Sequence, residues 1–158
     1  MNYIKKDITT VIGPAVILHG VNCKRTMRSG VAKALFDRWP NVREEYLRFT
    51  EEEMTLGKIA PVKVVENSLY VINCWTQEDY GYDAKSYANP LAIKDCLAAS
   101  AKFCKQMQIK NIYMPRVGCG LGGLNWENDV QPLVAEVEKR NLDLSFTICD
   151  FNNNQKQE

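Results

Sequence analysis

Two kinds of hydrophobic pattern alternate along the chain. AVILHG at 15–20 is a continuous apolar run bounded by Pro14 and Gly20, the pattern of a strand buried on both faces. Val31, Leu35 and Trp39 then recur every four residues until Pro40, which predicts a helix stopped by a residue that cannot extend it. Asn41 with Glu44 reads as a capping-box-like start to a second helix carrying Val42, Tyr46 and Phe49. PVKVVE at 61–66 and LYVINCWT at 69–76, joined by Asn67 and Ser68, predict two strands linked by a tight turn.

Asn89 offers an N-cap with Pro90 at the first helical position, and Ile93, Leu97, Ala101 and Cys104 share one face of the helix that follows. NIYMPRV at 111–117 predicts another strand, and LSFTICDF at 144–151 a last one. Between them Val130, Leu133, Val134 and Val137 show the spacing of an amphipathic helix, with Pro132 acceptable in its first turn. Strands alternating with helices imply an α/β sheet covered on both faces, and such sheets take ligands beyond the carboxyl ends of their strands.

At that end of the strand at 111–117 lies MPRVGCGLGGLNWEND, at 114–129, with four of the chain's nine glycines: Gly118, Gly120, Gly122 and Gly123. One or two glycines there would read as a tight turn. Four within six positions point to a phosphate or diphosphate site, because glycine turns successive N–H groups toward one point and the loop runs into a helix N-terminus. No G-K-[ST] follows, which excludes a Walker loop. Gly118, Gly120 and Gly123 fit G-x-G-x-x-G in spacing only, without the acidic residue that a dinucleotide fold carries after its second strand.

The size, 158 residues, suits one domain that buries roughly 70% of its unfolded surface. We expect that domain to span residues 1–151, with 152–158 a polar tail. Twenty basic and nineteen acidic residues leave a charge of +1, which argues against a general nucleic-acid groove. The six cysteines, Cys23, Cys74, Cys96, Cys104, Cys119 and Cys149, include no C-x-x-C pair, so no metal site or redox motif is spelled out. Reduced thiols, a cytoplasmic location, a monomer, no membrane association and no cofactor are expected. HGVNCKRTMRSGVAKALFDRWP, at 19–40, holds the only histidine, His19. A cysteine-phosphatase loop is excluded there, because Cys23 has Ser29 rather than arginine at the sixth position on.

These two stretches, with YIKKDI at 3–8 and NCWTQEDYG at 73–81, resemble the macrodomains, which bind ADP-ribose and its derivatives. The resemblance covers nearly the whole chain. It implies a three-layer α/β/α fold with a mixed, largely parallel central sheet. The N-C-x6-G-[IV]-A pattern with a preceding histidine is most similar to the branch holding ADP-ribose 1″-phosphate phosphatases and terminal ADP-ribose protein hydrolases. Carried over by the resemblance, Asp7 would bond the adenine amino group and Asn22 hold the distal ribose. Gly30, Val31 and Ala32 would meet phosphate on one side. Gly118, Cys119, Gly120, Leu121 and Gly122 would wrap the diphosphate on the other, with Phe151 or Asn152 bordering the adenine.

Departures from the branch narrow the chemistry. Its protein-glutamate hydrolases use a lysine on the strand corresponding to 69–76 and an aspartate in the glycine loop, where this chain is read as having Cys74 and Gly122. The expected activity is therefore metal-independent removal of phosphate from ADP-ribose 1″-phosphate. His19 is a candidate acid or base, since imidazole exchanges a proton near neutral pH, and equally a hydrogen-bonded structural histidine. Asn22 is expected to orient rather than transfer protons. Alternatives are a noncatalytic reader of ADP-ribosylated macromolecules, and a hydrolase releasing ADP-ribose from protein or nucleic acid.

Overall fold

The apolar run at 15–20 forms the core of β2 (Ala15–Asn22), which lies inside the sheet and is buried along nearly its whole length. The computed structural model describes residues 1–66, 68–81, 83 and 85–151. Within them β1 (Asn2–Lys5) precedes β2, and β3 (Ile59–Val65), β4 (Leu69–Gln77), β5 (Asn111–Met114) and β6 (Ser145–Asp150) follow. The strand order is β1-β6-β5-β2-β4-β3, and every neighbouring pair is parallel except β3 and β4.

Helices cover both faces, giving an α/β fold of three layers. Helices α1 (Gly30–Arg38) and α2 (Asn41–Tyr46) pack over Ile17, Val21, Val71 and Trp75. On the other face α3 (Pro90–Met107) and α4 (Gln131–Arg140) pack over Val16, Leu18, Ile72, Ile112 and Ile148. Alternate residues of β2 and β4 thus serve opposite layers, as a period of two requires. Ile17 and Ile72 are fully buried, each contributing about 2 kcal/mol of apolar transfer. Trp75 anchors the α2 side, stacked on Tyr46 at 5.9 Å and met edge-on by Phe49 at 5.2 Å.

Several boundaries depart from the hydrophobic pattern for local reasons. β5 ends at Met114, short of residue 117, because Pro115 has no N–H for the ladder. Asn41 does not cap α2. Pro40 takes the cap position and Asn41 Nδ2 donates to Lys63 O at 3.0 Å. The capping box of this region is formed instead by Thr50 and Glu53, around a short 3-10 turn. Asn89 does cap α3, its Oδ1 accepting from Ala92 N at 3.1 Å, and Pro132 sits in the first turn of α4. β1 is exposed at all four positions, so no alternation marks it in the sequence. A π-helical turn at Trp126–Val130 links the glycine stretch to α4. No described helix is long and apolar enough to cross a membrane.

Helices leave the adjacent strands β2 and β5 on opposite faces of the sheet, which opens a crevice beyond their carboxyl ends. The amino end of β2 is fixed just as closely. Ala15 N donates to Ser68 O at 2.8 Å, and a Cβ on Gly13 would lie 2.0 Å from that same carbonyl oxygen. Backbone on backbone cannot yield as a side chain does. Gly13→Ala should therefore lower unfolding free energy by about 1–3 kcal/mol, an overpacking cost, measured as a reduced urea midpoint at unchanged m-value.

Candidate functional site

The crevice is an open cleft with about 790 Å³ of space not filled by protein atoms, open solvent included. Its floor is the end of β2, Gly20 to Asn22, beside Thr76 and Gln77 of β4. Gly20 is bare because Thr76 stands against it: an added Cβ would lie 2.5 Å from the threonine Oγ1. One wall is the segment from Thr26 through Ala32, which enters α1. The other is the glycine loop, Val117 to Gly122.

The glycine loop is held by its own main chain. Cys119 N donates to Arg116 O, Gly123 N to Gly120 O and Leu124 N to Gly118 O, while Gly122 O accepts from Tyr87 N and Ala88 N. Gly118 and Gly123 have φ of +79° and +81°, conformations that side chains rarely adopt. Gly122 is constrained by space, since a Cβ there would lie 2.7 Å from Gly118 O. What the loop does not use is as telling. The amides of Gly118, Gly120, Leu121 and Gly122 donate to no acceptor among the described residues, and all four residues line the cleft.

The facing wall supplies a second set. Helix α1 receives no side-chain cap bond at Ser29, and its first amides, of Gly30, Val31 and Ala32, have no acceptor among the described residues. Gly30 has a φ of +61°. Val31 and Ala32 line the cleft, so unpaired N–H groups converge from both walls with the helix dipole behind one of them.

Asn22 lies at the centre, 8% exposed, but its amide is largely engaged. Nδ2 donates to Thr26 O at 2.8 Å, and Oδ1 accepts from Lys24 N at 2.9 Å. Tyr46, buried under the loop, places its hydroxyl 2.7 Å from Asn22 O and 2.9 Å from Asn22 Oδ1, and accepts from Thr26 N at 3.1 Å. Burial pushes the Tyr46 pKa up, so the hydroxyl remains a donor. Asn22 and Tyr46 thereby fix the turn that delivers the chain to α1.

Of the other described residues singled out in the sequence, His19, Asp7, Gly30, Cys119 and Phe151 are absent from the cleft lining. His19 points beneath α2, 1% exposed. Asn73 Nδ2 donates to Val42 O at 3.1 Å, which turns its Oδ1 to His19 Nε2 and places the ring proton there. Burial lowers the His19 pKa to about 4, against the smaller opposing effect of that bond. A buried neutral ring outside the cleft is placed for structure, not for exchanging protons with a ligand. Asp7 caps its own turn, Oδ1 accepting from Thr9 N at 3.0 Å and Thr9 Oγ1 at 2.7 Å, and is absent from the cleft lining, as is the half-buried Phe151. Cys119 turns its Sγ back to Val117 O at 3.5 Å. Asn152 lies outside the described residues.

On β4 the residue facing the cleft is Thr76, not Cys74, which is buried two positions earlier beneath α3. Thr76, Arg28 and Tyr80 are lining residues that the sequence pattern did not single out. Ile72, Cys74 and Thr76 share one face of β4, and Thr76 is the last of them, at the carboxyl end where the cleft opens. Among the described residues no three His, Cys, Asp or Glu side chains are grouped to hold a metal ion.

The family model for the Macro domain matches residues 18–132. An uncharacterized 17.5 kDa protein of Enterobacteria phage T4 is 33% identical over 134 residues, 80% of this chain and 83% of the phage protein. The human ADP-ribose glycohydrolase OARD1 is 24% identical over 148 residues, 94% of this chain and 90% of that protein. Among solved structures, the macrodomain of Mycobacterium tuberculosis DarG superposes with a TM-score of 0.80 at 23% identity, over 94% of this chain and 95% of that one.

Two outcomes follow from the polar network. Tyr46→Phe removes the hydroxyl and leaves Thr26 N only its longer bond to Asn22 Oδ1 at 3.4 Å, which should cost about 1–3 kcal/mol and speed hydrogen exchange at the Thr26 amide by at least tenfold. For His19, the folded protein keeps the ring neutral while the unfolded chain protonates below its ordinary pKa. That stability is complete above pH 6.5 and declines as pH falls toward 4. Between pH 7 and 4.5, wild-type protein should lose about 2 kcal/mol more unfolding free energy than His19→Gln, measured by urea titration at both values.

Proposed function

The chain belongs to the Macro domain family, and on that premise we propose that it binds ADP-ribose in the cleft and removes the phosphate from ADP-ribose 1″-phosphate. The observation that carries this reading is the pair of walls with unpaired amides, Gly118, Gly120, Leu121 and Gly122 facing Val31 and Ala32. A diphosphate between them would receive hydrogen bonds from both sides without a metal ion. The rest of a single domain over residues 1–151 serves to hold those walls.

The balance of the reaction is simple. Water attacks phosphorus, the bond from phosphorus to O1″ breaks, and its electron pair leaves on O1″, which takes up a proton as the anomeric hydroxyl. The products are ADP-ribose and inorganic phosphate. The adjacent ring oxygen withdraws electrons from the leaving oxygen, so little acid assistance is needed. Phosphoryl transfer then depends on orientation and on donors around the equatorial oxygens, which backbone amides supply. The hydroxyl of Thr76, at the cleft floor, would orient water, while the neighbouring Gln77 Nε2 donates to Asp79 O at 2.8 Å.

Cleavage at the sugar carbon is the second reading, favoured by the activity named for the human relative. Glycosyl transfer ordinarily calls on a carboxylate beside the anomeric carbon, and among the described residues no carboxylate lines the cleft. The phosphatase reading accords better with that composition.

The test is phosphate release from ADP-ribose 1″-phosphate in chelator, with calorimetric titration of ADP-ribose on the same sample. Release by wild-type protein, reduced at least a hundredfold in Gly122→Ala, supports the reading. Binding of ADP-ribose without release refutes phosphatase action. Release of ADP-ribose from a modified peptide or oligonucleotide instead favours the glycohydrolase.

A further inference from the structure

Four basic side chains, Lys24, Arg25, Arg28 and Lys33, lie on or next to the segment between β2 and α1. Three are committed. Lys24 Nζ reaches Glu51 Oε1 at 3.4 Å, Arg25 Nη1 donates to Leu47 O and Phe49 O, and Lys33 Nζ pairs with Asp37 Oδ2 at 2.7 Å. Lys24 and Arg25 tie the turn to the α2 region. Arg28 alone of the four lines the cleft, is exposed, and has no hydrogen-bond or ion-pair partner among the described residues.

Arg28 is also the only side chain with a formal charge among the described cleft-lining residues. A diphosphate can be met by the amides of the two walls. A ligand carrying a further phosphate monoester brings about −1.5 to −2 of additional charge, and neutral amides already engaged with the diphosphate do not balance it. A guanidinium does. Its planar fork of donors matches phosphate oxygens two at a time, and it gives up its hydration more readily than an ammonium group.

We propose that Arg28 is the specificity-determining residue of the cleft, reading the terminal phosphate of ADP-ribose 1″-phosphate and thereby distinguishing it from ADP-ribose. This rests on the proposed function and deepens it. Lys24 and Arg25 shape the wall, and Arg28 supplies the charge that the amides lack. Because no hydrogen bond or ion pair ties Arg28 to the described protein, its replacement leaves the fold intact and isolates the effect on the ligand.

The experiment compares wild type, Arg28→Gln and Arg28→Lys, reading kcat/KM for phosphate release from ADP-ribose 1″-phosphate and Kd for ADP-ribose by calorimetry. Arg28→Gln should lower kcat/KM at least tenfold while leaving Kd for ADP-ribose within twofold, with Arg28→Lys intermediate because it keeps the charge and loses the fork. Equal losses with both ligands, or no loss with either, overturn the assignment while leaving the parent reading intact. Wild-type protein that binds ADP-ribose without releasing phosphate refutes the phosphatase reading alone. Kd for intact ADP-ribose 1″-phosphate then replaces kcat/KM in the comparison: a tenfold loss confined to that ligand supports the role of Arg28, and equal or absent losses overturn it. Wild-type protein that binds no ADP-ribose overturns both.

Discussion

The rest of the structure depends on β2 being an interior strand, paired in parallel with β5 on one side and β4 on the other. A strand so placed must be apolar on both faces, and its chain can leave only at the carboxyl end, over one layer or the other. It leaves toward α1, whereas the chain leaving β5 goes to the opposite layer and α4. The gap between these departures is therefore a product of topology, present before any side chain lines it. The amino end of the strand is held against the turn before β4 by a contact that only glycine permits, so the floor of the cleft is anchored from below.

The sequence made the large elements legible because they are periodic. The buried run of β2, the four-residue spacing of α1 and the Asn-Pro start of α3 each state their local conformation, and the glycines at 118–123 announced a loop with positive φ. What was not legible depended on contacts between distant segments. β1 is an exposed four-residue edge with no alternation. Asn41 has the chemistry of a helix cap, yet it bonds to Lys63 across the layer. His19 carries the one side chain suited to proton exchange near neutral pH, and only the path of α2 shows that the ring is buried beneath it with Asn73. Position along the strand matters in the same way on β4, where one residue, Trp75, separates the core-filling Cys74 from the cleft-facing Thr76.

Asn22 illustrates how a polar residue at a strand end divides its bonding capacity. A side-chain amide has two donors and an acceptor oxygen with two lone pairs. Here Thr26, Lys24 and Tyr46 take up most of that capacity. The residue organises the turn first, and whatever donor remains is aimed by that turn. Tyr46 is part of the same arrangement although it lies on α2, and its stacking on Trp75 connects the turn to the packed layer beneath. Rigidity in the wall of the cleft thus comes from a core aromatic rather than from the loop.

The glycine loop and the first turn of α1 present main-chain groups, and every residue but proline carries the same N–H. Recognition of this kind is written in the shape of the chain, and the side chains of the loop contribute mainly by being small or absent. Replacing Cys119 or Leu121 leaves the amides in place, while adding a single carbon at Gly122 brings it against the Gly118 carbonyl. Alanine scanning, which removes side chains, would pass over such a surface almost without a signal. Its informative counterpart is the addition of methyl groups at the glycines, where one carbon does what a truncation cannot.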